Sequence, residues 1–319
     1  MRDEFGSAPH SSFRLTPPRA LRPGAHIGVL AISSPSKPDR IEVAQRNLER
    51  LGYRVTLAEN IYDIERRYLA GPDEKRLHEI NRFVRSDEID AFFFARGGYG
   101  AMRILDRIDY DAIRRNPRPI VGYSDLTALH QAVATRAGVS AFHGPMLNTD
   151  FYENLPHDLD AWFWAMLRGE APLTWRFIPP QVVAEGMASG VLFGGCLSVT
   201  LALLGTPYDY WVDDGIWFWE EVSEPTYRID RMLTHLKLTG RLNRIRAVMV
   251  GTLKECGESA PQEVDQLVDE FFANSGIPVI RNLPFGHGSA NLLLPLGAIA
   301  HISTLDGTIT FSEPVVTLG

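Results

Sequence analysis

The chain has 319 residues, of which 45% are hydrophobic and 22% charged, and its formal net charge at pH 7 is −7. This composition is typical of a globular protein, and the length is sufficient for two domains. The acidic balance argues against nucleic acid or an anionic membrane as a partner, because both require a basic surface. The two cysteines, Cys196 and Cys256, form no C-x-x-C pair, so we expect neither a disulfide framework nor a metal site, and no cofactor.

Residues 1–24 are rich in proline, serine and arginine, and we predict a loose arm there. The first residues include acids and lack the apolar segment of a signal peptide. The most apolar later stretch, residues 191–204, is too short to span a bilayer. We therefore expect a cytoplasmic protein with no membrane partner.

Residues 25–150 alternate between buried strands and amphipathic helices. The predicted strands lie at residues 27–32, 53–57, 89–95 and 120–121, and the predicted helices at 39–51, from 73, at 101–108 and from 124. Continuous apolar strands separated by amphipathic helices predict a parallel sheet that is covered on both faces. The predicted fold class is α/β, with a doubly wound domain over residues 25–150.

Residues 151–183 are a connection rich in proline and tryptophan, and the sequence pattern changes after it. We predict a second, mixed β/α domain over residues 184–319. Its predicted strands lie at residues 190–193, 215–219, 246–250, 278–280, 298–302 and 308–311, and its helices at 227–238 and 261–274.

The segment Gly122-Tyr-Ser-Asp-Leu-Thr127 lies between a predicted strand and a predicted helix. Ser124 at this point matches the nucleophile elbow of serine hydrolases, although Leu126 replaces the second glycine of G-x-S-x-G. A serine at the start of a helix can also act as its N-cap, which is the commoner role. The segment alone leaves both interpretations open.

A nucleophilic serine needs a base and a group that orients the base. Among the nine histidines, His287 stands out because Pro284-Phe-Gly-His-Gly-Ser-Ala-Asn291 is a backbone that turns sharply around it. Glu220 follows the apolar run Ile216-Trp-Phe-Trp219, so its carboxylate is predicted to be partly buried and could accept a hydrogen bond from an imidazole Nδ1–H. Alternatively, His287 has no catalytic role, and Glu220 and Glu221 form a solvent-exposed pair of carboxylates.

The segment Arg96-Gly-Gly-Tyr-Gly-Ala101, here called the glycine loop, follows a strand and precedes a helix. It superficially matches a dinucleotide loop, but Arg103 stands where G-x-G-x-x-G requires its last glycine, so an NAD site is not favoured. Glycines at this point let backbone N–H groups approach a ligand closely. Beside a nucleophilic serine, that ligand would be a tetrahedral oxyanion.

Eight segments in this order resemble the successive signatures of the LD-carboxypeptidases, the serine peptidase family that also holds the microcin C immunity hydrolases. The segments are Tyr68-Leu-Ala-Gly-Pro-Asp-Glu-Lys-Arg76, Ala95-Arg-Gly-Gly-Tyr-Gly100, Gly122-Tyr-Ser-Asp-Leu-Thr-Ala128, Gly194-Gly-Cys-Leu-Ser198, Gly205-Thr-Pro207, Trp219-Glu-Glu-Val222, Tyr227-Arg-Ile-Asp-Arg231 and Pro284-Phe-Gly-His-Gly288. The resemblance extends from about residue 24 to the C-terminus, and several motifs in the right order make it specific.

The resemblance implies a catalytic triad of Ser124, Glu220 and His287. It implies an oxyanion hole near Gly98 and the N–H group of Asp125. It also implies a glutamine-amidotransferase-like first domain, a swivelling β/β/α second domain and a homodimer.

The substrate contacts are less determined than the triad. Cys196 stands where the family commonly has the asparagine of a Gly-Gly-Asn motif, which tends to lie near the substrate. An exopeptidase must also bind the free carboxylate of its substrate, and Arg96 and Arg231 are candidates, each of which could instead form a structural ion pair. Tyr99 in the glycine loop is a further candidate contact.

The resemblance implies a cytoplasmic serine carboxypeptidase that removes the terminal D-alanine from murein tetrapeptides during peptidoglycan recycling. The alternative within the family is hydrolysis of peptidyl or aminoacyl adenylates, for which an aromatic wall would be needed. Trp162, Trp164, Trp175 and Trp219 could form that wall or belong to the core. The alternative outside the enzymes is a catalytically inactive binding module with the same fold. The presence of all three triad residues at their motif positions argues against it.

Overall fold

The computed structural model describes three stretches of the chain. These are residues 14–177, 181–257 and 260–318. The predicted arm spans residues 1–24, so its first 13 residues lie outside the described residues. From residue 14 onward the arm is docked: Leu15 and Leu21 are buried, and Thr16 forms a β-bridge with Val139. The arm differs from the predicted loose arm because Leu15 and Leu21 each pack into one of the hydrophobic clusters of the folded chain.

The described residues contain fourteen strands and eight α-helices. The strands are β1 (His26–Leu30), β2 (Arg54–Leu57), β3 (Ala91–Phe94), β4 (Ile120–Gly122), β5 (Phe142–His143), β6 (Leu173–Arg176), β7 (Gln181–Ala184), β8 (Met187–Cys196), β9 (Gly215–Val222), β10 (Ile245–Lys254), β11 (Val279–Arg281), β12 (Leu294–Pro295), β13 (Ile299–Ser303) and β14 (Thr308–Phe311). The helices are α1 (Pro38–Arg50), α2 (Asp73–Arg85), α3 (Tyr110–Arg115), α4 (Leu126–Ala132), α5 (His157–Arg168), α6 (Leu197–Leu203), α7 (Thr226–Leu238) and α8 (Pro261–Phe272).

The first sheet has six strands in the order β12-β5-β4-β3-β1-β2. Neighbours among β1 to β5 are parallel, and β12 adds an antiparallel edge strand from late in the chain. Successive side chains of a strand point to opposite faces. Val29 and Phe93 accordingly pack with α1 and α5, whereas Leu30 and Phe94 pack with α2 and α4. Helices therefore cover both faces of this sheet, and the α/β class is confirmed.

Two further local predictions differ from the structure. Residues 101–108, predicted as one short helix, form two 3-10 turns at Ala101–Arg103 and Leu105–Arg107. Residues 151–183, predicted as a connection, contain α5 and β6. The prolines around α5 suggested a loop, but the helix carries an aromatic face that buries Phe163 against Phe93 of the first sheet, with ring centroids 5.8 Å apart.

The second sheet has eight strands in the order β6-β14-β13-β8-β9-β10-β11-β7. Its four central strands, β8 to β11, are parallel, and the outer pairings are antiparallel, so the sheet is mixed. On β9, Trp217 and Trp219 pack on the face covered by α6, α7 and α8, and Ile216 and Phe218 occupy the other face. None of the described helices is long and apolar enough to cross a membrane.

The two sheets meet through a shared hydrophobic cluster. Phe218 of the second sheet belongs to the same buried cluster as Val29 and Phe93 of the first sheet. Trp162 on α5 donates its indole N–H to the carbonyl of Leu293, at 2.9 Å, just before β12 joins the first sheet. This shared core places the carboxyl end of β4 and the end of β9 in one region of the molecule.

Candidate active site

Ser124 lies in the tight turn between β4 and α4, and its backbone is in the left-handed region with φ of +62°. A non-glycine residue in that region is strained, and such strain concentrates at functional sites. The N-cap of α4 is Asp125, not Ser124, and no side chain caps this helix by a hydrogen bond. The geometry thus matches a nucleophile elbow better than the N-cap alternative.

The glycine loop passes directly beside Ser124. A Cβ atom on Gly97 would lie 2.6 Å from the Cβ of Ser124, and one on Gly98 would lie 2.1 Å from the Oγ of Ser34. Gly98 also has a φ of +102°, which glycine adopts without strain. Glycine is therefore required at position 97 by the serine turn and at position 98 by the loop after β1.

The loop after β1 fixes the glycine loop through its backbone. The N–H of Ser34 donates to the carbonyl of Gly97 at 3.1 Å, and the N–H of Tyr99 donates to Ser34 Oγ at 3.2 Å. Between these two bonds, the N–H of Gly98 has no acceptor within the described part of the chain, and the same holds for the N–H of Asp125. Two unpartnered backbone donors beside a serine hydroxyl are the arrangement that an oxyanion requires.

His287 and Glu220 form a direct pair. His287 Nδ1 lies 2.6 Å from Glu220 Oε2, so the ring N–H donates to a carboxylate that is 0% exposed. That bond leaves Nε2 as the proton acceptor of the neutral ring. Burial opposes the charged imidazolium, but the hydrogen bond and charge of Glu220, with the charges of Glu221 and Asp150, outweigh it and raise the pKa of His287.

The loop that carries His287 is shaped around Glu220. Gly286 has a φ of +97°, and a Cβ there would lie 2.6 Å from Glu220 Oε2. The N–H of Gly286 donates to the side-chain oxygen of Asn291 at 3.1 Å, which closes the loop. The proline, glycines and asparagine of this motif therefore hold the histidine against a buried carboxylate.

Glu221 points away from His287. Its carboxylate accepts hydrogen bonds from the N–H of Ser198, at 2.7 Å, and from its own neighbour Val222, at 2.9 Å. Burial raises the pKa of Glu221, and these two backbone donors offset part of the rise. Of the two adjacent carboxylates, only Glu220 contacts His287, because neighbours on a strand face opposite sides of the sheet.

Tyr123 connects the serine turn to the histidine. Its ring lies 5.0 Å from the ring of His287 and 5.8 Å from that of His143, between centroids. His143 is fully buried, and burial places its pKa well below the usual range, so the ring is neutral. The residue that precedes Ser124 thus contacts the ring of His287, but no hydrogen bond joins the side chains of Ser124 and His287 in the described residues.

The predicted substrate contacts fall into two groups. Arg96 and Tyr99 are exposed on the glycine loop, where Arg96 donates to the carbonyl of Pro35 at 3.1 Å and the ring of Tyr99 lies 6.0 Å from that of Tyr68. Both are therefore accessible beside the serine turn. Arg231 is exposed on α7, and its guanidinium stacks over a tyrosine ring one turn earlier.

Cys196 is not an accessible side chain. It is 4% exposed at the end of β8, its N–H donates to Thr127 Oγ1 at 3.0 Å, and its Sγ lies 3.5 Å from Glu221 Oε1. Burial raises the pKa of this thiol far above its usual range. Its side chain faces Glu221, and a contact between Cys196 and the substrate stays a prediction.

The tryptophans considered for an aromatic wall belong to the core. Trp162, Trp164 and Trp219 are 6%, 5% and 0% exposed, and Trp175 packs edge-on against Trp162 at 5.6 Å between ring centroids. Stacking on a nucleobase requires an exposed ring face, which these three buried residues do not offer. In the stretches that the structure covers, no cluster of three His, Cys, Asp or Glu side chains could hold a metal ion.

Two family models match the chain in the order of its two sheets. Residues 27–144 match the LD-carboxypeptidase N-terminal domain, and residues 189–302 match the LD-carboxypeptidase C-terminal domain. The chain belongs to the LD-carboxypeptidase family. The resemblance on which the triad was assigned is therefore confirmed at the level of the family.

Individual relatives agree with this assignment. A probable murein peptide carboxypeptidase of Bacillus subtilis strain 168 is 34% identical over 303 residues, which is 93% of this chain and 95% of that protein. The structure of a muramoyltetrapeptide carboxypeptidase from Oxalobacter formigenes matches 90% of this chain and 97% of its own, with a TM-score of 0.78 and 27% identity. The microcin C7 self-immunity protein MccF in the wild-type apo state has a TM-score of 0.87, covering 94% of this chain and 99% of that one; at 24% identity it shows the fold.

Proposed function

We propose that this LD-carboxypeptidase family member is a serine carboxypeptidase that removes the terminal D-alanine from murein tetrapeptides. The observation that carries the proposal is the buried Glu220–His287 pair beside a serine in a strained turn. The names of the relatives supply the substrate class, since two that align with nearly the whole chain are named probable murein peptide carboxypeptidase and muramoyltetrapeptide carboxypeptidase.

In the proposed mechanism Ser124 attacks the carbonyl that precedes D-alanine. His287 Nε2 takes the serine proton and then gives it to the leaving amine of D-alanine, which leaves a peptidyl ester on Ser124. Water, deprotonated by the same ring, hydrolyses that ester. Glu220 keeps the Nδ1–H tautomer and stabilises the imidazolium, which is consistent with the raised pKa of His287.

The oxyanion that forms at each step is proposed to bind the N–H groups of Gly98 and Asp125. Support comes from their lack of another acceptor among the described residues and from the contact of the glycine loop with the serine turn. For the free carboxylate of the substrate we propose Arg96, because it is exposed on that loop. Tyr99 is the proposed neighbouring contact, and Arg231 stays the alternative cation, with support only from its exposure.

Several broader assignments accompany this proposal. We propose that the enzyme is cytoplasmic, works in peptidoglycan recycling, and forms a homodimer. We also propose that residues 25–150 are the glutamine-amidotransferase-like, doubly wound domain and that residues 184–319 are the swivelling β/β/α domain, which supplies Glu220 and His287. The two-sheet architecture and the two separate family matches support this division, with the exception that β12, at residues 294–295, pairs with the first sheet.

The test is mass spectrometry of the products from two substrates. Incubation with a murein tetrapeptide is expected to give the tripeptide and free D-alanine, and the Ser124→Ala protein is expected to give neither. An aminoacyl sulfamoyl adenylate serves as the competing substrate. The burial of the tryptophans argues against it, so its turnover without tetrapeptide cleavage would overturn the proposal.

A further inference from the structure

Two buried side chains of opposite charge lie behind the glycine loop, and neither belongs to the proposed triad. The side chain of Asp125 is 2% exposed, and that of Arg76, in the first turn of α2, is 0% exposed. Burying a charge is costly unless other groups compensate it. The hydrogen-bond partners of these two side chains therefore show which loops they hold in place.

The Asp125 carboxylate joins the serine turn to two other loops. Its Oδ2 accepts a hydrogen bond from Ser33 Oγ at 2.6 Å and another from the N–H of Ala101 at 2.8 Å. Ser33 lies just after β1, and Ala101 ends the glycine loop. One carboxylate thus fixes both neighbouring loops to the residue that follows the proposed nucleophile.

Arg76 binds the adjacent residues of the same two loops. Its Nη1 donates to the carbonyl of Ile32 and, at 2.8 Å, to the carbonyl of Gly100. Its Nε donates to the carbonyl of Gly71 at 3.2 Å, and its Nη2 donates to the carboxylate of Asp73, which compensates the charge. A Cβ on Gly100 would lie 2.8 Å from Nη1, so the glycine loop runs directly against the guanidinium.

The two side chains therefore hold the end of the glycine loop, while Ser34 holds its beginning. The N–H of Gly98 lies between these fixed points, and the N–H of Asp125 lies on the residue whose own carboxylate makes the connection. Hydrogen-bond donors stabilise an oxyanion only when they are fixed at the correct spacing before it forms.

We propose that the side chains of Arg76 and Asp125 are positioning residues that fix the two oxyanion-binding N–H groups relative to Ser124. This inference rests on the proposed serine mechanism, but it does not depend on the identity of the substrate. Neither side chain contacts the reacting atoms; both act through the backbone of the glycine loop.

The same fold offers a matched control. Arg118 is 1% exposed and also donates to three backbone carbonyls, those of Val84, Ser86 and Ile89. These carbonyls belong to the end of α2 and the segment after it, not to the serine turn or the glycine loop. A buried arginine with a purely structural role is thus available for direct comparison.

The experiment compares Arg76→Lys, Asp125→Asn and Arg118→Lys. The readouts are the labelling rate of Ser124 by a fluorophosphonate probe, kcat and KM for the tetrapeptide, and the thermal midpoint. The probe forms a tetrahedral phosphonyl adduct, so its rate depends on the oxyanion hole without any murein substrate. If the wild type is labelled at Ser124 but does not cleave murein peptides, only the substrate assignment fails.

For Arg76→Lys and Asp125→Asn we expect labelling and kcat to fall about 10- to 100-fold with KM nearly unchanged, the effect of a small misplacement of oxyanion donors. Arg118→Lys is expected to lower the thermal midpoint without slowing the labelling of the folded protein. Equal losses in all three variants would overturn the inference, as would normal labelling in Asp125→Asn. Ser33→Ala, which removes one donor to Asp125, provides the same test if Arg76→Lys does not fold.

Discussion

Replacing Glu220 by glutamine tests the base–orienter pair, with its neighbour Glu221 as the control. Glutamine keeps the shape of a side chain that is 0% exposed, and its amide oxygen can still accept the Nδ1–H of His287. The substitution removes the negative charge that stabilises the imidazolium while Ser124 attacks. The expected loss is therefore in kcat and not in substrate binding.

The magnitude follows from the geometry of the pair. At the observed 2.6 Å between Nδ1 and Oε2 the charges are in direct contact, and two unit charges about 4 Å apart interact by ~4 kcal/mol at an effective dielectric constant of ~20. Each ~1.4 kcal/mol corresponds to about tenfold in rate, so we expect kcat to fall roughly 10³-fold in Glu220→Gln.

The same substitution predicts a shift of the pH profile. The hydrogen bond and charge of Glu220 raise the pKa of His287 against the effect of burial, so their removal lowers that pKa. Activity is lost as the pH falls through the pKa of His287, because a protonated ring cannot accept the serine proton. The acid limb of kcat/KM is therefore expected to move to lower pH in Glu220→Gln.

The control variant separates catalysis from stability. Glu221→Gln is expected to weaken the charged hydrogen bonds to the N–H groups of Ser198 and Val222, at a cost of about 1–3 kcal/mol in the free energy of unfolding, with little change in kcat. The assay is D-alanine release from the tetrapeptide across a pH series, with thermal unfolding in parallel. A greater loss of kcat in Glu221→Gln, or an unmoved acid limb in Glu220→Gln, would refute the reasoning.

Three further predictions concern the serine turn, the glycine loop and the thiols. Ser124→Gly is expected to be inactive yet more stable than Ser124→Ala by about 1–2 kcal/mol in urea unfolding, because glycine relieves the φ of +62°; equal stability would show that the turn is not strained. Gly98→Ala, whose Cβ would meet Ser34 Oγ at 2.1 Å, is expected to reduce kcat about 100-fold or more, and near-normal turnover would exclude Gly98 from the oxyanion hole. Activity is expected to survive thiol reagents, since Cys196 and Cys256 are both buried and burial raises the pKa of each thiol, to about 11 for Cys256. Activity is also expected to survive EDTA dialysis, because a serine mechanism needs no metal ion. Loss of activity to EDTA with recovery on added zinc would contradict that mechanism.

The sequence contained enough information for the α/β class and most central strands, because apolar periodicity reports burial directly. The pattern alone left a solvated Glu220–Glu221 pair open, and the choice of Glu220 rested on the family resemblance. The folded strand β9 is needed to show that Glu220 lies against His287. The sequence could not show that the side chain of Cys196 is buried against Glu221, because this contact joins residues 25 positions apart in the chain.

The positioning role proposed for Arg76 could not be predicted from the sequence, for a different reason. Arg76 is one of 32 lysines and arginines, and a basic residue at the start of an amphipathic helix ordinarily faces solvent. Its role depends on three backbone carbonyls that come together only in the folded chain. Similarly, the helix α5 was missed because its flanking prolines suggested a loop, although its aromatic residues complete the core under the first sheet.

The central claim is that Ser124 is the nucleophile of a murein peptide carboxypeptidase, and peptide mapping of a fluorophosphonate adduct tests it most directly. We expect the adduct on Ser124, slower formation when murein tetrapeptide competes for the site, and no adduct in Ser124→Ala. Labelling at another residue, or labelling of Ser124 at a rate that the tetrapeptide does not change, would contradict the account.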